Sequence, residues 1–385
     1  MNITANACIN PVLLKEQLFH MKLLKSSIIF ALGVLVGMGT ALIGYGVHTH
    51  MDFRSKAAHV KDRVVAKLEG VLSPRVRAAK LDHITPPAPY FPPGSIWTKD
   101  ITNAPLDPKS SAMISTLADA GGWGYGRMQV DLNLRVLKAD AKTPYVPFHG
   151  AEGKDSDDAS TFPLPLGGGV EGQPDYKCPD EQQDCHLIVV DRAHSKLWEA
   201  YHANFADGVL NAIGVVVWDL NRIYPPSGLG DQCSSTDAAG FPIAPLVFNA
   251  DELATGSINH AIRFTLPIDR IRAKVFVHPA THAGGPRGPA SAPPYGVQFR
   301  LKASYDLSKL KPAARIVARA MQKYGMFLSD SGNITLTAQS DADTVAKYAD
   351  VDFTVHDLQP LKVTDFEIVE MSAPIPLTYD CVRNK

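Results

Sequence analysis

Residues 257–267 read SINHAIRFTLP. Taken as a strand, this run sends His260, Ile262 and Phe264 to one face and Ala261, Arg263 and Thr265 to the other. A ring that titrates near neutrality then sits with the apolar side, and a fixed cation faces away from it. A lone guanidinium is too costly to bury. Arg263 is therefore expected to pair with a carboxylate, and Asp237 in SSTDAAG (234–240) is the candidate. His260 is then the ring left for a ligand, suited by its ordinary titration range to proton transfer.

Similar runs surround this one. RMQVDLNLRVL (127–137), CHLIVVD (185–191), NAIGVVVWDL (211–220), IAPLVF (243–248), AKVFVHP (273–279), GVQFRLKASYDL (296–307), NITLTAQ (333–339) and DFEIVE (365–370) are short, rich in β-branched or aromatic residues, and mostly bounded by Gly, Pro, Asn or Asp. With HAIRFTL they predict a mainly β domain over residues 95–385, a β-sandwich or jelly roll with one or two short helices. One helix is expected near NADELATG (249–256), where Asn249 and Glu252 have capping-box spacing. The other is KPAARIVARAMQKYG (311–325), with Pro312 in its first turn and Gly325 as its cap. The loops 138–184 and 279–295 exceed ordinary connections and read as cleft walls or as surface decoration.

The chain has 385 residues, 45% hydrophobic and 20% charged, and a net charge of -1. That supports a large core and provides no global field for nucleic acid. MKLLK (21–25) precedes 22 uncharged residues at 26–47, long enough to cross a bilayer. No clear small-x-small cleavage site follows, so residues 1–50 read as an N-terminal extension with an uncleaved transmembrane signal anchor. Residues 51–94 read as a basic stalk helix (51–81) followed by the proline-rich linker HITPPAPYFPPGSIW (83–97). Setting aside Cys8, four cysteines remain without a CxxC pair. Cys178 and Cys185 enclose PDEQQD as a hairpin staple, which leaves Cys233 with Cys381. Disulfides point to the periplasm or the cell exterior; the alternative is four reduced, buried thiols in a cytosolic domain.

SSTDAAGFPIAPLVFNADELATGSINHAIRFTLP (234–267), HPATH (278–282) and YGMFLSDSGN (324–333) occur in an order that resembles a widespread group of exported bacterial β-rich proteins of unassigned function. The group's pattern is Ser-Ala-Asp-Ala-Ala-Gly-x-Pro, then Glu, then His-Ala-hydrophobic-Arg-Phe-Thr, then Tyr-Gly-Met. The likeness covers roughly residues 185–370, and Thr236 departs from the group's usual Ala. It implies export and a single β-rich domain, and it carries no catalytic assignment.

The residues suggest chemistry of their own. Asp237 lies among small residues, free to approach a ligand or to cap its own turn. Asp219 follows Trp218 on one strand, so the two side chains oppose each other. A pair of carboxylates is what glycoside hydrolysis uses, and Asp219, Asp237 and His260 are the candidate catalytic set. Trp218, Arg263, His282, Tyr295 and Glu252 are the candidate substrate contacts, the aromatic rings serving as stacking platforms. The expected partner is extracellular polysaccharide, with the membrane met through residues 26–47 and no cofactor required. Two alternatives stand beside this: a non-catalytic carbohydrate-binding or envelope-structural domain, and a metal-dependent extracellular enzyme built on His260, His278 and His282. There is no GxSxG, and LGGGVEG (166–172) does not lie between a strand and a helix as a phosphate loop would.

Overall fold

The LIVV run at 187–190 is apolar at every position because its strand is covered on both faces. This emerges from a computed structural model that describes residues 81, 83–150, 155–179 and 184–384. Cys8, the expected anchor at 26–47 and nearly all of the expected stalk at 51–81 lie outside the described residues. Among the described residues no helix is long and apolar enough to cross a membrane.

Strands are numbered in chain order. The largest sheet has six strands in the order β1 (Val130–Leu134), β14 (Leu336–Gln339), β10 (Ile262–Leu266), β13 (Met326–Ser331), β12 (Gln298–Leu301) and β15 (Phe366–Ile368). A four-stranded sheet runs β2 (Val136–Ala139), β5 (Leu187–Asp191), β6 (Lys196–Tyr201) and β9 (Gly214–Asp219). A second four-stranded sheet runs β4 (Thr161–Pro163), β3 (Tyr145–Gly150), β8 (Val209–Ala212) and β7 (Asn204–Ala206). β11 (Val275–Phe276) and β16 (Ile375–Pro376) form a small ribbon.

Alternation along the middle sheet feeds two cores. Ile188, Val190, Leu197, Val216 and Trp218 pack in one cluster with Val130, Leu134, Phe264 and Leu336 of the six-stranded sheet. Leu187, Val189, Ala200 and Val215 pack in another with Phe148, Phe162 and Leu210 of the outer sheet. Each such side chain contributes about 1.5–3 kcal/mol when fully buried, so an acid on either face of β5 would break a core.

The mainly β expectation holds, and so do the two expected helices. In α2 (Ala250–Thr255) the Asn249 side chain accepts from the Glu252 N–H at 3.0 Å, and Glu252 accepts from the Asn249 N–H at 3.0 Å. In α3 (Pro312–Lys323) Val317, Ala320 and Met321 are buried, and Gly325 follows with φ +70. A third helix, α1 (Ser110–Asp119), was not anticipated: it buries Met113, Ile114 and Leu117, and Ser110 Oγ accepts from the Ile368 N–H. IAPLVF is not a strand. Pro245 lacks a donor for a ladder and the segment forms a 3-10 turn at Ala244–Leu246. The sheets are mixed, with β1–β14, β10–β13, β2–β5 and β3–β8 all parallel, whereas a jelly roll is antiparallel.

Both disulfides pair as expected, Cys178 with Cys185 and Cys233 with Cys381, which suits an oxidising, extracytoplasmic compartment. The proline-rich stretch lies along the body as a strap. Phe91 is buried 5.7 Å from Tyr224 and 6.5 Å from Trp218, ring centre to ring centre, and Arg192 donates to the carbonyls of Ala88 and Pro89.

Candidate functional site

β5 begins, β6 ends, β9 begins and β13 ends around a cavity of about 620 Å³, closed on one side by the 234–238 segment. Asp184, His186, Tyr201, Asp237, His282 and Asp330 line it. Both long loops contribute, the first through Asp155, Ser156 and Asp184, the second through His282 and Gly284.

Arg263 underlies this cavity's charge. Its Nη2 is 2.6 Å from Asp237 Oδ2 and 3.6 Å from Asp330 Oδ2, and its Nη1 donates to Thr337 Oγ1 at 3.2 Å. The partner that the alternation at 257–267 demanded is therefore Asp237. Burial raises both carboxyls, and Arg263 draws each back toward ionisation, with its short contact at Asp237. Asp330 keeps its proton to about 6, pushed up by burial and then by the charge on Asp237. The Asp237 side chain is fully buried, while that of Asp330 is 30% exposed. Of the two, only Asp330 can offer a proton to a guest.

Asp330 was missed because of a bulge. Arg263 pairs with Phe327, Phe264 with Leu328, and Thr265 then skips Ser329 to pair with Asp330. In regular register Asp330 would point away from Arg263; the extra residue turns it to Arg263's face. The Asp-x-Gly at 330–332 was visible in the sequence, the bulge was not.

His186 supplies a second charged pair. Its Nδ1 lies 2.7 Å from Glu171 Oε2 and its Nε2 2.9 Å from the Thr236 carbonyl, and two acceptors are satisfied together only by the imidazolium. Burial alone would lower its pKa; the hydrogen bond and charge of Glu171 outweigh burial and raise it to about 9. Because the folded value lies above the ordinary 6.5, the stabilisation is complete below 6.5 and is lost as pH rises through 9. Thermal melting of the wild-type chain is expected to fall across this window, and His186→Gln is expected to flatten that fall. Parallel curves for the two proteins would contradict the assignment.

The remaining candidates are dispersed. Asp219 lies outside the cavity at the end of β9, with Lys196 Nζ at 3.0 Å; the Asn221 N–H and then Lys196 lower its pKa. Asp219 and Asp237 thus do not share a site. Trp218 is buried and donates to Glu199 Oε2 at 3.0 Å, and Tyr295 is 1% exposed in the core, so neither is a stacking platform. His260 and Glu252 line a different cavity and bond each other at 3.1 Å. The other ring nitrogen of His260 faces the Ala261 carbonyl at 2.7 Å, so neither nitrogen is left for substrate. His278 is 2.8 Å from Asp231, and His260, His278 and His282 do not converge. Among the described residues the one group with metal-ligand spacing, Asp155 with Cys233 and Cys381, has its sulfurs in a disulfide.

Glu199 was also not anticipated. It is fully buried, accepts from the N–H groups of Ile243 and Ala244 at 2.8 and 3.0 Å, and ties the stretch that follows the cavity segment to β6. Burial raises its pKa to about 7 against the pull of these donors. The chain matches no family model, no curated protein and no solved structure.

Proposed function

We propose that the chain is an exported, glycan-active hydrolase anchored by residues 26–47, with Asp330 as the general acid at the cavity. The observation that carries this is a partly exposed carboxyl, protonated to about 6, sharing one guanidinium nitrogen with a buried carboxylate in a hydroxyl-rich cavity. Asp237 and Arg263 are positioning residues: they hold charge behind Asp330 without touching the guest. Asp184, exposed on the same cavity, is the opposing carboxylate that activates water. Ser156, Ser234, Ser235 and Tyr201 supply hydroxyls for sugar. Among the described residues no Lys or Arg lines the cavity and the His186 imidazolium is neutralised by Glu171, so neutral or amine-bearing glycans are favoured over uronates. The exported β-rich group described above and the reading of the six-stranded sheet and the β2–β5–β6–β9 sheet as sandwich layers go with this proposal, the latter supported by their common core.

The test uses the full-length protein on a panel of neutral, amino and acidic polysaccharides. Reducing ends are expected to accumulate, with kcat falling as pH rises past about 6 because the acid must carry its proton. Asp330→Asn is expected to lower kcat about 100-fold or more while polysaccharide is still retained. Retention by the wild type without new reducing ends would replace this reading with a carbohydrate-binding domain.

A further inference from the structure

A second cavity, of about 330 Å³, lies beneath the proline-rich strap. Its size is at the lower end for small-molecule sites. Prolines 86, 87 and 89 roof it, and Trp97 and Tyr90 contribute rings to its walls. At its floor Glu252 Oε1 meets His260 Nε2 at 3.1 Å, while Glu252 Oε2 accepts from the Asn249 N–H at 3.0 Å. His260 Nδ1 meets the Ala261 carbonyl at 2.7 Å, so carboxylate and imidazolium neutralise each other. No other charged side chain among the described residues lines the space.

An ionic guest would lose its water here and find no counter-charge, which excludes it on desolvation grounds. Donors, by contrast, are left over. The Trp97 side chain is buried, and among the described residues neither its indole N–H nor the Tyr90 hydroxyl has a hydrogen-bond partner. The Asn249 side-chain oxygen is spent on the Glu252 N–H, which leaves its NH₂ as a further donor. Such donors match an acceptor oxygen, and the flat proline and aromatic walls match a ring. We propose that this cavity is a binding site for a neutral, ring-containing small molecule that carries a carbonyl or ether oxygen. It is separate from the acidic cavity and does not depend on the hydrolase reading.

The probe is prodan, a neutral naphthalene ketone whose emission shifts to the blue in an apolar site, titrated against the full chain. Saturable binding of one probe per chain is expected. The anionic analogue 6-dimethylamino-2-naphthoate should bind at least 10-fold more weakly. Ser257→Trp and Asn259→Trp, each filling the cavity from its lining, should each weaken prodan at least 10-fold with unchanged melting, and Asp330→Asn should leave it unchanged. Two filling variants guard against one failing to fold. Non-saturable binding, equal binding of the anion, or full binding by a folded filling variant would overturn the proposal.

Discussion

Replacing Arg263 by methionine is expected to destabilise the folded body by about 3–5 kcal/mol, the range for breaking a buried ion pair from one side. Arg263 is 5% exposed, on a central strand between β13 and β14, and its guanidinium is the counter-charge of both Asp237 and Asp330. Without it the two carboxylates face each other in a poorly solvated space. The chain can relieve this only by protonating them, so the loss must depend on pH. Since removal of Arg263 pushes both carboxyls up further, the penalty grows as pH rises and shrinks in acid. Urea unfolding at pH 5 and pH 8 should show a larger drop in midpoint at the higher pH. Asp237→Asn keeps an oxygen for the Ala239 N–H, which Asp237 Oδ1 accepts at 3.0 Å. The double variant Arg263→Met/Asp237→Asn should therefore recover part of the loss. Strictly additive losses, or equal drops at both pH values, would show that the pair is not the source.

Alternation at 257–267 was sufficient to demand a partner for Arg263, because the cost of a buried cation is local and is written in a single strand. The same holds for the Asn249–Glu252 cap and for the end of α3, where the chemistry spans only a few residues. What the sequence could not show depended on register between distant strands. KLWEAY at 196–201 alternates poorly because Glu199 is buried with the apolar residues, its charge met by donors from Ile243, Ala244 and Trp218. His260 failed as a free base for a related reason. Two positions before β10, it turns to Glu252 and to the backbone, and the first of these contacts depends on how α2 docks. The candidate cavity was thus half legible: Asp237 and His282 were named, while His186 and Asp330 needed the fold to bring them there.

Loss of the Cys233–Cys381 bridge is expected to lower stability by about 5 kcal/mol, and loss of Cys178–Cys185 by about half as much, on the chain-entropy argument. The sequence separations are 148 and 7, so the long loop restricts the unfolded chain far more. Cys→Ser pairs compared by calorimetry would give the ranking, and a larger loss for the short loop would refute it. Location makes the contrast functional as well. Cys233 immediately precedes Ser234–Asp237 on the cavity rim, and the C-terminal chain it holds is close enough for Asn384 to donate to the Leu229 carbonyl at 2.7 Å. Cys185 lies between Asp184 and His186 on the same cavity. Each bridge therefore fixes one wall of the acidic site. Hydrogen exchange should accelerate at 234–240 when the first is removed and around 184–188 when the second is removed, with the remaining wall still protected. A reduced chain that kept both walls protected would mean that the sheets alone position the carboxyls, and that the compartment's redox state is irrelevant to the site.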